Sequence, residues 1–318
     1  MMISIARKKR RGRMMVPFVS LLIQCGFVLC HIYSQAFGAG LDSSGSCNAR
    51  IQYLGEKPPG MTPEVFAPGL VSTDQIEFGC TFSTDGCEFY FGRVIRDPFR
   101  KVVFVSRWTD TAWSVPELAP FSGVFDDELP RITPDGQFLF FTSNRPLPDM
   151  ADQESRRSSF TVWVCQKTER GWGKPSPLAP HLRGMITVSA TSTNTLYTRL
   201  RNGLVRMIPE HTGWSAPETF SIRGTEKPGN LYVAPDGSFL LFGCELPGYG
   251  MGDLWVSFRR GTDGWTEPAN LGPKVNTSGI DAAPILTPDG DYLFFTSGGD
   301  IKWISADIIR NLAEDVIK

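Results

Sequence analysis

The chain has 318 residues, which suits one large domain or two ordinary ones and allows a stable hydrophobic core. Its 22 Phe, 32 Gly and 24 Pro, with only 20% charged residues, favour many short strands joined by turns over long solvated helices. The formal net charge of −1 argues against nucleic acid as a partner, because binding to a polyanion depends on clustered Lys and Arg.

The only basic cluster has another explanation. It occupies residues 7–13 and precedes a largely apolar segment over residues 14–30, after which small residues follow. This order is typical of a signal peptide, with cleavage near residues 38–41. The apolar segment is also near the lower length limit for a membrane anchor, so an anchored leader stays open. We predict a leader over residues 1–40, a linker over 41–60, and a periplasmic or secreted protein without a stable membrane span once the leader is removed.

The cysteines do not form a disulfide framework. Five follow the leader, and an odd number at wide spacing allows at most two disulfides. Their pairing stays open, although Cys80 and Cys87, on either side of the first turn, are not expected to face each other. Most of the five are expected to be small buried side chains, namely Cys47, Cys80, Cys87, Cys165 and Cys244.

A hairpin signature is repeated along the chain. In each copy, strand-forming residues flank an Asp-Gly dipeptide, whose Gly accepts the positive φ of a tight turn. The middle copy lacks Asp-Gly, but Asn takes the left-handed conformation at low cost. The turn residues recur at intervals of 43 to 58 residues, at Gly86, Gly136, Asn194, Gly237 and Gly290.

A second signature, Trp followed by Pro three residues later, occurs between the hairpins. A further strand lies between the two signatures, so each unit is predicted to have four strands, the outermost carrying the Trp and ending at the Pro. The Trp side chains are expected to pack between units rather than to form a carbohydrate platform. They are Trp113, Trp172, Trp214 and Trp265.

Units of four antiparallel strands at this period are the signature of a β-propeller. The fifth unit lacks its outer strand at the C-terminal end, whereas residues 62–68 match the outer strand of the first unit at residues 115–120. The sequence therefore predicts an all-β fold, a single propeller of five four-stranded blades over residues 61–308. The N-terminal segment from Glu64 to Val71 closes the last blade, and a short helix-like tail over residues 309–318 follows.

The Thr-Pro-Asp-Gly hairpins and the strand that begins Asp253-Leu254-Trp255-Val256 resemble the WD40-like repeats of TolB-type β-propellers, over roughly residues 60–308. The resemblance implies an envelope or periplasmic propeller that works as a binding scaffold. TolB itself has a preceding α/β domain, which the short stretch after the predicted cleavage site cannot form. The specific partners of TolB are therefore not carried over.

Acidic residues recur where loops lead into the innermost strands. Glu77, Asp127 and Asp281 stand eight residues before the turn Asp of their units, and Glu128 adjoins one of them. A ring of carboxylates at one mouth of the channel could bind a cation, an amine or a basic segment of a partner. The alternative is that these side chains cap backbone amides, and calcium would need six or more converging oxygens that spacing cannot establish.

Arginines recur after the second strand, at Arg93, Arg145 and Arg199. They are candidates for recognition of an anionic or sugar ligand, with salt bridges between blades or surface ion pairs as the alternative. The turn Asp residues fit turn chemistry rather than catalysis. Residues 248–253 superficially resemble a phosphate loop but lack its Lys-Ser/Thr pair and following helix.

These patterns favour a binding protein over an enzyme. Only His181 and His211 follow the leader, and no nucleophile elbow or zinc-protease motif is present. We expect no cofactor and no metal, and a monomer that binds an envelope protein or glycan through its channel mouth. The alternative is a polysaccharide hydrolase or lyase that uses two of the channel-mouth carboxylates as acid and base.

Overall fold

The structure is a computed structural model. It describes residues 53–109, 111–147, 160–179, 187–200, 203–225, 228–261 and 264–316. The predicted leader lies outside these ranges. Within them, no helix is both long and apolar enough to cross a membrane.

Five antiparallel sheets form the blades, and each innermost strand leads through a tight turn into the second strand. In blades 1 and 2 the second and third strands pair in continuous register. The strands of blade 1 are β2 (Ile76–Phe82), β3 (Glu88–Arg96), β4 (Phe99–Arg107) and β5 (Glu117–Leu118), and those of blade 2 are β6 (Asp127–Ile132), β7 (Phe138–Ser143), β8 (Thr161–Thr168), β9 (Gly171–Trp172) and β10 (Ser176–Pro177).

Blade 3 has the degenerate hairpin, and Asn194 there has φ 57°, as the turn requires. Blade 4 has Asp-Gly again. The strands of blade 3 are β11 (Val188–Ala190), β12 (Leu196–Leu200), β13 (Gly203–Met207), β14 (Pro209–Glu210), β15 (Gly213–Trp214) and β16 (Glu218–Phe220), and those of blade 4 are β17 (Gly229–Val233), β18 (Phe239–Cys244), β19 (Asp253–Arg260), β20 (Gly264–Trp265) and β21 (Ala269–Asn270).

Blade 5 combines the two ends of the chain. Its strands β22 (Asp281–Leu286), β23 (Tyr292–Ser297) and β24 (Asp300–Ser305) come from the C-terminal end, and β1 (Glu64–Val65) adds the outer strand. Glu64 is opposite Trp303 in the antiparallel pair of β1 with β24. The predicted five-bladed all-β fold and its closure by the N-terminal segment are confirmed.

The outer strands differ from the prediction in one respect. The Gly-Trp segments β9, β15 and β20 pair with residues at the end of, or just after, the third strand, and the outermost strand begins only after the Pro. A Pro has no N–H to donate, so it fits before a strand better than within its ladder. Trp214 packs edge-on against Phe138 and Phe140 of blade 2, and Trp172 donates its indole N–H to the Tyr90 hydroxyl of blade 1 at 2.9 Å.

The innermost strands share a bulge. Positive φ angles of 43° to 54° occur at Gly79, Leu129, Asn230 and Ala283, where the register of four innermost strands shifts. A bulge increases twist and redirects the residues that follow it. Consequently, the second half of each of these strands presents its side chains to the channel in the same way.

The remaining elements complete the core. A 3₁₀ turn, Tyr53–Gly55, and the helix α1 (Asp307–Val316) both pack against the largest hydrophobic cluster. The Tyr53 hydroxyl bonds to the turn residue Asp289 of blade 5. Cys80 and Cys165 are buried free thiols, Cys244 is buried, and Cys87 forms a disulfide bond.

Candidate functional site

Three of the four predicted carboxylates, Glu77, Asp127 and Asp281, are buried at the start of their innermost strands. Glu77 is 0% exposed and accepts hydrogen bonds from the Thr73 N–H at 3.1 Å and the Thr73 hydroxyl at 2.7 Å. Arg93 Nε donates to its Oε1 at 2.8 Å, and Arg93 also donates to the carbonyls of Leu70 and Val71. Glu77 and Arg93 therefore tie the N-terminal segment to blade 1.

Asp127 repeats this arrangement in blade 2. It is 0% exposed, and it accepts from Arg145 Nη2 at 2.7 Å and from the Ser122 hydroxyl at 2.9 Å. Burial raises the pKa of Asp127 above its ordinary value, and Arg145 and a hydrogen bond from Ser143 oppose that rise. The Arg145 guanidinium in turn lies over the rings of Phe141 and Trp163.

The other predicted residues have separate surroundings. Asp281, 1% exposed, caps the Thr277 N–H at 2.6 Å. Glu128 pairs with Lys101 of blade 1 at 2.9 Å, and Arg199 has a buried Nε without a hydrogen-bond partner among the described residues. The structure brings Glu77 to Arg93 and Asp127 to Arg145, each pair within one blade. Ligand binding by the seven predicted residues stays a prediction.

The structure adds an acid that sequence reasoning missed, at the segment resembling a phosphate loop. Asp253, which is 0% exposed, accepts from the backbone N–H groups of Tyr249 at 2.7 Å and Gly250 at 3.0 Å. The Asn270 amide donates to the same carboxylate at 2.8 Å. The N–H groups that a phosphate would need are therefore bound to a side chain of the chain itself, and the loop is a capped turn.

Replacing Asp253 by alanine is expected to destabilise the protein by about 1–3 kcal/mol for each backbone N–H left without an acceptor. Asp253→Asn keeps one acceptor oxygen and serves as the control, with a smaller loss expected. Urea unfolding followed by fluorescence measures both. Equal stability of Asp253→Ala and the unchanged protein would show that solvent replaces these bonds.

A cavity lies at the opposite end of the channel from the buried carboxylates. We call this end the hairpin mouth, since the tight turns surround it. The cavity measures about 280 Å³, and all five innermost strands contribute to it. Equivalent positions five residues before each turn residue all line it, namely Thr81, Arg131, Ser189, Tyr232 and Ile285.

Arg131 crosses this channel. Its side chain is 4% exposed, and Nη1 donates to the carbonyl of Cys80 in blade 1 at 2.7 Å and, at 3.3 Å, to that of Pro130. Nη2 donates to the carbonyl of Pro284 in blade 5 at 3.3 Å. Burial lowers the pKa of Arg131 to about 10, which leaves the guanidinium charged at neutral pH. A positive charge is thus held in the middle of the ring.

The hairpin mouth has a polar and partly exposed rim. Thr84 and Ser192 are exposed turn residues on it, and prolines occupy the equivalent positions in the other blades. Deeper in, the Ser189 hydroxyl accepts from the Val233 N–H of blade 4 at 3.0 Å, so it also links two blades. None of the cavity-lining residues is Asp, Glu, His or Cys.

Neither Arg131 nor the cavity was identified from sequence. The signal was the hairpin alignment itself, since Arg131 stands at a position where the other blades carry Thr, Ser, Tyr or Ile. When one repeat carries a charged residue where the equivalent residues of the other repeats are neutral, that residue is a candidate for a functional role. Within the described residues, no group of three or more His, Cys, Asp or Glu side chains could hold a metal ion.

Comparison with known proteins supports the fold alone. No family model and no curated protein matches the sequence. Among solved structures, TolB from Acinetobacter baumannii is similar at 10% identity and TM-score 0.45, over 74% of this chain and 55% of that one, so the chain spans about half of that TolB.

Two enzymes are similar to the same degree. A gluconolactonase from Xanthomonas campestris matches at 13% identity and TM-score 0.46, over 78% of this chain and 94% of that one. An α-L-arabinofuranosidase from Podospora anserina, solved in complex with cellotriose, matches at 13% identity and TM-score 0.45, over 77% and 96% of the two chains. These similarities concern the fold alone, so function has to be argued from the site.

Proposed function

We propose that the protein is an exported binding protein, and that a group presented by a glycan or protein of the cell envelope enters its central channel at the hairpin mouth. The observation that carries this proposal is the cavity lined by all five innermost strands. Ligand sites are typically concave, largely preformed and furnished with a few polar groups. At about 280 Å³, the cavity is near the low end of ligand pockets, about 300 Å³.

The chemistry of the lining favours binding over hydrolysis. A glycosidase needs two carboxyl groups on either side of the scissile bond, about 5–10 Å apart. The cavity lining offers hydroxyls and one guanidinium but no acid. Glu77, Asp127 and Asp281 are buried at the other end of the innermost strands and are already hydrogen-bonded. For these reasons we prefer a binding function to the hydrolase alternative.

Ser192→Trp tests this proposal, because an indole on the exposed rim of the hairpin mouth would obstruct the channel. The variant should capture roughly tenfold less of a discrete partner from envelope extract than the unchanged protein, through steric exclusion. The matched control is Val115→Trp, since Val115 is 81% exposed and lies just before the outer strand of blade 1. Undiminished capture by Ser192→Trp, with both variants folded, would place the binding surface elsewhere.

A further inference from the structure

The charge of Arg131 has no carboxylate partner in the part of the chain that the structure describes. Its partners there are three backbone carbonyls. The contrast with Arg93 and Arg145 is direct, since each of these binds a buried carboxylate within its own blade. Buried charges in proteins are normally paired, because the loss of hydration is costly. Arg131, the most deeply buried of these three arginines, is therefore the one without a carboxylate partner among the described residues.

The hydrogen bonds of Arg131 also leave donors over. A guanidinium has five N–H groups. The two bonds from Nη1 and the one from Nη2 use three of them, and Nε is buried with no partner among the described residues. The two remaining N–H groups belong to Nε and Nη2. These two nitrogens lie side by side on the guanidinium and can donate two parallel hydrogen bonds to one carboxylate.

The surroundings of the guanidinium suit a hydroxylated ligand. Thr81, Ser189 and Tyr232 occupy the positions equivalent to Arg131 in three other blades, and all line the cavity. Thr84 and Ser192 add hydroxyls at the rim. Apolar side chains such as Phe82 and Ile285 complete the lining. A ligand would thus have its charged end at Arg131 and its hydroxyl groups toward the mouth.

We propose that the channel binds a small organic carboxylate of the sugar-acid class, with its carboxylate on the Arg131 guanidinium. This inference rests on the proposed function, because it names the chemistry of the ligand for that same channel. The ligand supplies the negative charge that no described residue provides to Arg131. The carbonyls of Cys80 and Pro284 then act as positioning groups, which fix the plane of the guanidinium before the ligand arrives.

The simpler alternative is that Arg131 only links the blades. Its bonds to blades 1 and 5 do serve that purpose, but neutral donors would do so without placing an unpaired charge in the ring. An Asn or Gln amide, for example, donates to carbonyl oxygens at a much lower cost of burial. The charge and the unused Nε therefore favour a ligand at this position, whereas the carbonyl bonds alone do not.

Isothermal titration of the full chain with sodium D-glucuronate and with D-glucose, at matched ionic strength, tests the inference. The two sugars differ at one carbon, which carries a carboxylate in glucuronate and a hydroxyl in glucose. Glucuronate is expected to bind at least about tenfold more tightly, since a guanidinium–carboxylate bond is charge-assisted. In Arg131→Gln this advantage should disappear, while any affinity for glucose is kept. Glucuronate binding that is absent, no tighter than that of glucose, or undiminished in Arg131→Gln would overturn the inference.

A second measurement uses the unchanged protein, in case Arg131→Gln does not fold. Addition of sodium D-glucuronate should shift one arginine Nε–H signal in a ¹H–¹⁵N spectrum, and glucose should not. Ser192→Trp, which closes the mouth, should abolish the shift. If no arginine signal responds, the carboxylate does not reach Arg131 and the inference fails. If glucose binds as tightly as glucuronate and Ser192→Trp blocks the binding of both sugars, the sugar-acid inference fails while the proposed function stands. If Ser192→Trp blocks the binding of neither sugar, the inference and the proposed function both fail.

Discussion

Replacing Phe66 by alanine is expected to destabilise the protein by about 3–5 kcal/mol, the usual range for truncating a buried Phe. Phe66 follows β1, is 0% exposed, and its N–H donates to the Ile301 carbonyl at 2.8 Å. Its ring lies 4.8 Å from that of Phe294 and 5.2 Å from that of Trp303 in blade 5, and 5.1 Å from that of Phe89 in blade 1. The side chain thus joins the last blade to the first.

Val65→Ala is the matched control for this experiment. Val65 precedes Phe66 and is the last residue of β1, but it is 37% exposed, so its truncation should change the free energy of unfolding by no more than about 0.5 kcal/mol. Denaturant unfolding followed by tryptophan fluorescence compares the two variants. Deletion of residues 41–72 should go further and abolish cooperative unfolding, because β24 would become an open edge. Equal midpoints for Phe66→Ala and Val65→Ala would contradict closure by this segment.

The second large effect is expected for Arg145→Met. The substitution keeps an apolar side chain beside Phe141 and Trp163 but leaves the buried Asp127 without its guanidinium. Breaking a buried pair by removing one partner costs about 3–5 kcal/mol, because the remaining charge is uncompensated. Since the charge on Asp127 causes the cost, Asp127→Asn in the Arg145→Met background should restore part of the stability at pH 7.

The loss should also depend on pH. Burial already raises the pKa of Asp127 above its ordinary value of 3.8, and Arg145 is the chief influence that lowers it. A group whose pKa is raised on folding contributes stability that is full below the unfolded pKa and lost as pH rises through the folded pKa. In Arg145→Met the folded pKa rises further, so this loss grows, and the deficit relative to the unchanged protein should shrink as pH falls into the acid range.

Unfolding free energies measured at several pH values for Arg145→Met and for the double variant check this expectation. The double variant carries an amide at residue 127, so its deficit should be largely independent of pH over the same range. A deficit of Arg145→Met that stayed constant with pH would mean that Asp127 does not carry the cost. Arg145 would then stabilise the blade chiefly by stacking on aromatic rings.

The features of this protein that sequence alone determined are those with local causes. Asp-Gly turns between strand-forming residues fix the hairpins, because only a few residue types accept the required φ. Their regular recurrence gives five blades, and the match of residues 62–68 to an outer strand gives the closure that β1 and β24 show. The prediction that the Trp segments are the outermost strands is wrong. A short Gly-Trp segment has strand propensity, but its sequence does not indicate which strand it pairs with.

The site depended on tertiary structure. Arg131 is separated from Cys80 by 51 residues and from Pro284 by 153, and no local pattern records contacts at that distance. Sequence spacing aligned Glu77, Asp127 and Asp281 correctly with one another, yet the same spacing fits a carboxylate in a channel and one buried in its own blade. Closure of the ring decides between them, because it determines which side chains lose contact with water and which line the cavity at the centre.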